Sequence, residues 1–130
     1  MIYGSLPGAS PLPPWSARAK RNLAWIERHC YVPDGPRAGH PVRLTKHQRN
    51  KVRVIYQRED RLPRTVIISE PRKNAKTAFA SILVQLHTCG PEAKRFQQVV
   101  TTARVKDQAG ITYDYCANSI LASPTLSEVV

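Results

Sequence analysis

The segment from residue 64 to residue 89 constrains the fold of this chain more strongly than any other. It opens with RTVIIS, a β-branched apolar run typical of a buried strand, and continues into the short basic loop EPRKNAKT. The next residues, AFASILVQLHTC, place apolar side chains on one face of a helix: Phe79, Ile82, Leu83 and Leu86. Strand, loop and helix in this order predict parallel pairing, because the helix returns the chain to the edge where the strand began.

The basic loop has the layout of a phosphate-binding P-loop, in which backbone N–H groups and a helix N-terminus point at the phosphates. Lys76 and Thr77 stand at the helix start, where lysine neutralises the outer phosphates and the hydroxyl holds Mg²⁺. The usual pattern has glycine where this chain has Glu70 and Ala75, although Asn74 tolerates positive φ. The pattern favours a variant site for ATP and Mg²⁺ formed by Lys73, Asn74, Ala75, Lys76 and Thr77. The alternative is a basic turn that binds no ligand.

Two helices are predicted upstream of the strand. The first presents one apolar face: Trp15, Ala19, Leu23, Ile26 and Cys30. The second opens at a capping box formed by Thr45 and Gln48 and runs to about Gln57. It would bury Val52, Ile55 and Tyr56, and its outer face would carry the basic residues Lys46, Arg49, Lys51, Arg53 and Arg58.

Downstream, residues 97–101 are predicted to form a second strand, followed by a helix from about Lys106 to Leu121. That helix would bury Ala109, Tyr113, Ala117 and Ile120. Alternating strands and helices predict an α/β fold with right-handed crossovers. We therefore expect an incomplete parallel sheet of the P-loop NTPase type, flanked by helices and preceded by a helical segment. Residues 1–14, rich in Gly, Ser and Pro, are expected to be a flexible arm.

The formal net charge of +11 indicates a polyanionic partner. Residues 1–65 contain 13 Lys and Arg against 4 acidic residues, so the positive charge is concentrated upstream of the loop. Nucleic acid is the leading candidate, with Arg49, Lys51 and Arg53 as candidate contacts. The alternative is a solvated basic face that keeps the chain in solution.

Other classes of protein are disfavoured. No apolar run approaches the length of a membrane span, and the N-terminus lacks the order of a secretory signal. The three cysteines are widely spaced, without a C-x-x-C pair, which argues against a disulfide framework or a structural zinc site. We expect an intracellular protein without a membrane partner.

The ordered motifs resemble the ATPase half of the large terminase subunit of tailed bacteriophages, the motor that packages DNA into capsids. Three pieces carry the resemblance: WIERHCYVPDGPRAGHPVRLTKHQ, RTVIISEPRKNAKT, and GPE followed by VVTTARVKDQAG. Together they run through almost the whole chain from Trp15 onward. The resemblance implies that residues 15–130 are the N-terminal portion of a P-loop ATPase domain.

Taken residue by residue, the resemblance implies that Gln48 contacts the adenine edge and that Arg72 acts in cis on the γ-phosphate. Lys76 and Thr77 match the phosphate and Mg²⁺ ligands. The implied partners are double-stranded DNA, the small terminase subunit and the portal, and an oligomeric ring is expected for the full-length protein alone. The implied location is the cytoplasm of a bacterial host, with the gene carried by a phage or prophage.

Hydrolysis requires an acidic residue at the end of a later strand to hold Mg²⁺ and orient water. After Thr77 no apolar run ends in Asp-Glu, since Asp107 falls at a helix entrance and Asp114 within that helix. We therefore expect the acidic strand and a nuclease domain to be absent from this chain, and no ATP turnover from these residues alone. Two other hypotheses remain: a basic nucleic-acid-binding module with a vestigial loop, and another P-loop ATPase such as a helicase relative.

Overall fold

The computed structural model describes residues 2–3, 12–33, 35–69, 76–100, 102 and 106–129, with the backbone alone at 2–3, 106–109 and 129. Its elements are β1 (Ile2–Tyr3), α1 (Ala17–His29), α2 (Lys46–Ile55), β2 (Ile67–Ile68), α3 (Lys76–Thr88), α4 (Lys106–Ala122) and α5 (Leu126–Val129). The described part is therefore mostly helical. Its two short strands pair in parallel, with Ile2 opposite Ile67.

Helix α1 begins at Ala17, because Ser16 caps it. The Ser16 hydroxyl accepts a hydrogen bond from the Ala19 amide at 3.0 Å and donates one to the Tyr56 carbonyl at 2.6 Å. The start of α1 is thereby tied to the end of α2. The predicted apolar face is confirmed: Ala19, Ile26 and Cys30 are buried, and Trp15 and Leu23 pack against the same core.

The apolar positions predicted for α2 and α3 are also confirmed. Val52, Ile55 and Tyr56 of α2 are buried, and α2 ends at Ile55, slightly before the predicted Gln57. On α3, Phe79, Ile82 and Leu86 are buried and Leu83 packs against them. The two helices and α1 share one core.

One basic residue assigned to the outer face of α2 is placed wrongly by the sequence. Lys51 is only 7% exposed, and its ammonium lies 5.4 Å from the centroid of the Phe79 ring on α3. A lysine can bury its aliphatic stem against apolar surface while its charge meets an aromatic face. Lys51 therefore faces α3, whereas Lys46, Arg49 and Arg58 are exposed as expected.

A buried carboxylate joins α1 to the turn that follows α3. Glu92 is 5% exposed, and its two oxygens accept hydrogen bonds from the guanidinium of Arg18 at 2.5 and 2.7 Å. Arg21 and Asn22 donate to the same carboxylate at 2.9 and 3.0 Å. The bond from Arg18, supported by that from Asn22, holds the pKa of Glu92 at about 2.

The predicted strand at 97–101 is wrong over its described residues. Residues 97–100 form no strand, and Val99 and Val100 are 38% and 70% exposed. A β-branched run forms a strand only where another strand completes its ladder, and the described neighbour of β2 is β1. The predicted strand at 65–69 is reduced to Ile67–Ile68. The P-loop parallel sheet is accordingly not present in the described ranges.

Helix α4 matches its predicted bounds to within one residue, but its predicted buried face is confirmed only in part: Ala117 and Ile120 are half-buried, and the side chain of Ala109 lies outside the described residues. Tyr113 is 69% exposed, while Cys116 and Ser119 are buried, as is Ser123 just beyond the helix. The Ser119 hydroxyl donates to the Tyr31 carbonyl, and the Ser123 hydroxyl donates to the His29 carbonyl, each at 2.6 Å. These bonds to the end of α1 and the residues just after it orient α4 through buried serines. A prediction made from the spacing of apolar residues cannot identify them.

Residues 2–3 and 12–14 of the N-terminal arm are described, and the flexibility expected for residues 1–14 stays a prediction. Ile2 and Tyr3 form β1, and the Pro13 carbonyl accepts a hydrogen bond from the Arg53 guanidinium. Among the helices in the described ranges, none combines the length and apolar character that crossing a bilayer requires.

Replacing Glu92 by Gln should destabilise the fold by about 3 kcal/mol at pH 7, because Arg18 loses its charged partner in a buried pair. The carboxyl titrates at about 2 in the folded chain against an ordinary value of 4.5. Its stabilisation is therefore complete above pH 4.5 and is lost as the pH falls toward 2. Urea unfolding at several pH values should show that the difference in free energy of unfolding between wild type and Glu92→Gln disappears as the pH falls across that window. Asp60→Asn, which breaks the exposed pair with Arg58, is the control and should change stability little.

Replacing Gly90 by Ala should destabilise the fold by about 1–3 kcal/mol, because the added methyl meets backbone. A β-carbon at Gly90 would lie 2.8 Å from the Leu86 carbonyl oxygen and 3.1 Å from the Trp25 ring. Gly110, within α4, has nothing within 4 Å of the same atom. Gly110→Ala should therefore be neutral or stabilising by up to about 1 kcal/mol. Equal thermal stabilities of the two variants would contradict this packing.

Candidate nucleotide-binding site

The predicted phosphate loop is flanked by the elements that the sequence indicates. Strand β2 ends at Ile68 and α3 begins at Lys76. Four of the predicted site residues, Arg72, Lys73, Asn74 and Ala75, lie outside the described residues. The described residues of the predicted site are therefore Gln48, Lys76 and Thr77.

Lys76 and Thr77 occupy the first two positions of α3, and both side chains are exposed. The helix has 13 residues and carries no acidic residue in its first turn. Its dipole therefore presents partial positive charge at the same end as the Lys76 ammonium. This end of α3 favours an anion.

Helices α2 and α3 run in the same direction, as two side-chain contacts show. The ammonium of Lys51, in the middle of α2, lies 5.4 Å from the ring centroid of Phe79, the fourth residue of α3. Near their ends, the Tyr56 hydroxyl lies 2.8 Å from Nε2 of His87, and the two rings stack. Because the order of the contacts is the same on both helices, the two N-termini lie at the same end of the pair.

This arrangement brings Gln48 to the side of the fold where Lys76 and Thr77 lie. Gln48 precedes Lys51 by three residues, and Lys76 precedes Phe79 by three residues, so each lies about 4.5 Å along its helix toward the N-terminus. Gln48 and Lys76 thus each lie about one helical turn closer to the N-terminus of their helix than the residues that make the contact.

Gln48 also makes the predicted capping box. Its Oε1 accepts a hydrogen bond from the backbone N–H of Thr45 at 3.0 Å, and its backbone N–H donates one to the Thr45 hydroxyl at 3.2 Å. A carboxamide oxygen has a second lone pair, and its nitrogen carries two hydrogens. The cap therefore fixes the orientation of Gln48 and still leaves it able to pair with the donor and acceptor edge of an adenine.

The three candidate nucleic-acid contacts all interact within the chain. Arg49 pairs with Glu27 on α1 at 3.0 Å, and Lys51 is buried against α3. The guanidinium of Arg53 lies 5.6 Å from the Trp15 ring centroid. Whether these residues contact nucleic acid remains a prediction.

The sequence contains a signal for the position of Lys51 that the charge pattern obscures. Gln48, Lys51, Val52 and Ile55 stand at i, i+3, i+4 and i+7, which is one face of a helix. Because that face is buried, a lysine within it is expected to be buried too. No comparable signal marks Glu92, whose three partners are about 70 residues away in the chain.

The carboxylates downstream of the loop are on a helix. Asp107 is the second residue of α4, and Asp114 lies in its middle with an exposed side chain. Within the described ranges, no group of three or more His, Cys, Asp or Glu residues could hold a metal ion. The helical placement predicted for both aspartates is confirmed.

Two apolar grooves of the described surface are lined by neither Gln48 nor Lys76. One, of about 490 Å³, runs between α3 and α4, and the other, also about 490 Å³, lies beside β2. Val84 and Val99 line both. The identification of the candidate site therefore depends on the charge and the hydrogen-bonding groups of its described residues.

No protein-family model matches the chain. It is 34% identical over 113 residues to the large terminase subunit of Enterobacteria phage HK97, a match that covers 87% of this chain and 22% of that protein. The crystal structure of the HK97 bacteriophage large terminase superposes with a TM-score of 0.77 at 33% identity, over the same shares of the two chains. The fold is therefore terminase-like, and the chain spans about a fifth of the length of the relative that it matches.

Replacing Thr45 by Ala should destabilise the fold by about 1 kcal/mol, because the Gln48 amide loses its acceptor. Gln48→Glu keeps an acceptor for the Thr45 amide and adds negative charge near a helix N-terminus, so it should preserve or slightly raise stability. Thermal unfolding of both variants measures the difference. A Thr45→Ala protein as stable as wild type would contradict the capping box.

Proposed function

Since the chain is homologous to the large terminase subunit of a phage, we propose that it is the N-terminal, ATP-binding part of such a subunit. The full subunit would be the ATP-driven motor that packages viral DNA into capsids. The observation that carries the proposal is the shared direction of α2 and α3, which supports a site formed by Gln48 together with Lys76 and Thr77. The 34% identity over 113 residues supports the assignment to terminase.

In this proposal the loop after β2 and the first turn of α3 hold the phosphates. Lys76 neutralises their outer oxygens, and the Thr77 hydroxyl supplies a ligand to Mg²⁺. Gln48 pairs with the adenine edge, and its capping box holds the carboxamide in place. The exposed side chains of Lys76 and Thr77 are consistent with direct contact to a ligand. Arg72 would act on the γ-phosphate, with Lys73, Asn74 and Ala75 completing the loop.

The proposed sheet is of the parallel P-loop type, with β2 leading into the phosphate loop. The parallel pairing of β2 with β1 supports this, since P-loop sheets are parallel. The rest of the sheet would come from parts of the subunit outside the described residues. Catalysis would also need a carboxylate at the end of another strand, and Asp107 and Asp114 lie on α4 instead. We infer that these residues bind ATP without turning it over.

The partners proposed for the complete subunit are double-stranded DNA, the small terminase subunit and the portal, in the cytoplasm of the bacterial host. The net charge of +11 supports a polyanionic partner. A basic nucleic-acid-binding module with a vestigial loop is the competing function. That function predicts DNA affinity that falls steeply with salt and is indifferent to Lys76.

Replacing Lys76 by Ala should weaken the binding of Mg·ATP at least tenfold, about 1.4 kcal/mol, because a phosphate-neutralising charge is lost. Isothermal titration of the whole chain measures the affinity. Lys94→Ala is a matched control, since Lys94 is an exposed lysine in the segment that follows α3. It should bind ATP like wild type. Equal affinities of Lys76→Ala and wild type would refute the proposed site.

A phosphate-release assay on the same preparations tests the second part of the proposal. We expect no turnover above background from wild type. Turnover that disappears in Lys76→Ala would support the ATP site and overturn the inference that these residues are incomplete for hydrolysis.

A further inference from the structure

Lys51 occupies an unusual position for a lysine, between the two helices that carry the proposed site. It is 7% exposed, and its ammonium lies 5.4 Å from the centroid of the Phe79 ring. Burial lowers the pKa of Lys51, so desolvation of its ammonium has a cost. A methionine would fill a similar volume without that cost and without the charge, so it separates the packing of this side chain from its cation–π contact.

The contact between Lys51 and Phe79 connects the two halves of the proposed site. One helical turn separates Lys51 from Gln48, and one turn separates Phe79 from Lys76. Each turn is rigid because its backbone is hydrogen-bonded, so a change in the contact between Lys51 and Phe79 would be transmitted to the spacing between Gln48 and Lys76. A nucleotide held by its base and its phosphates at once requires that distance to be fixed.

A second contact holds the other ends of the same helices together. The Tyr56 hydroxyl and Nε2 of His87 are 2.8 Å apart, and both side chains belong to the C-terminal ends of α2 and α3. Loss of the Lys51 contact would therefore leave the helices joined at their ends and through the shared core, and would loosen the contact that lies nearest their starts. The consequence would be confined to the end where Gln48 and Lys76 lie.

We propose that Lys51 is a positioning residue that sets the spacing between the adenine contact at Gln48 and the phosphate ligands at Lys76 and Thr77. This inference rests on the proposed nucleotide site. It concerns a residue that would touch neither the base nor the phosphates. A direct electrostatic attraction between the Lys51 ammonium and the phosphates is the competing explanation.

Two ligands separate these explanations. Mg·ATP engages both halves of the site, whereas inorganic tripolyphosphate with Mg²⁺ engages the phosphate half alone. Lys51→Met should weaken ATP binding about tenfold, from the loss of a desolvated cation–π contact, and should leave the tripolyphosphate affinity within about twofold of wild type. Lys51→Arg should restore most of the ATP affinity, because a guanidinium also stacks on an aromatic ring.

Arg53→Met is the matched control. Arg53 lies on the same helix and also places its charge over a ring, but that ring is Trp15 rather than a residue of α3. Its replacement should leave the ratio of ATP to tripolyphosphate affinity unchanged. Phe79→Leu removes the aromatic partner while keeping an apolar side chain, and it should reproduce the effect of Lys51→Met. It also provides the test if Lys51→Met fails to fold, as judged by circular dichroism.

The outcomes are distinct. A selective loss of ATP affinity in Lys51→Met and Phe79→Leu supports the positioning role. An equal loss of affinity for both ligands in Lys51→Met overturns it in favour of direct attraction. An unchanged ratio of ATP to tripolyphosphate affinity together with a lowered melting temperature overturns it in favour of a purely structural role. Wild-type protein that binds neither ligand would overturn the proposed function, and this inference with it.

Discussion

The hydrogen-bonded pair of Arg18 and Glu92 is the interaction on which the arrangement of the other elements depends. Besides holding the Glu92 carboxylate, Arg18 donates from its guanidinium to the Arg58 carbonyl and from its backbone amide to Glu59. One residue at the start of α1 thus joins the segment after α2 and the turn after α3. Because both partners are largely buried, each charge needs the other, and the three helices are held in a single arrangement.

Within that arrangement, several of the basic side chains interact with acidic or aromatic side chains of the same chain. Arg18 and Arg21 hold Glu92, Arg49 holds Glu27, and Lys51 and Arg53 lie over aromatic rings. A net charge of +11 therefore does not translate directly into a surface for DNA. The positive charge with the clearest functional orientation is at the start of α3, where the helix dipole and Lys76 act at the same end.

The helices could be predicted because their signals are local. Apolar spacing and caps such as Ser16 and Thr45 act within a few residues of the element that they define. The strand at 97–101 could not be predicted in this way, because a strand needs a partner that its own residues do not specify. The prediction of the buried face of α4 was incomplete for a related reason: the buried Ser119 bonds to Tyr31, which is 88 residues away in the chain.

For the candidate site, the sequence by itself determined which residues have the chemistry: Lys76 and Thr77 at a helix start after an apolar strand, and Gln48 in a capping box. The tertiary structure alone decided that these groups lie at one end of two helices running in the same direction, and that Lys51 lies between them. The physical reason is the separation along the chain of the residues that interact. Helix formation and capping depend on neighbours along the chain, whereas the spacing of two helices depends on side chains that meet only after the chain has folded.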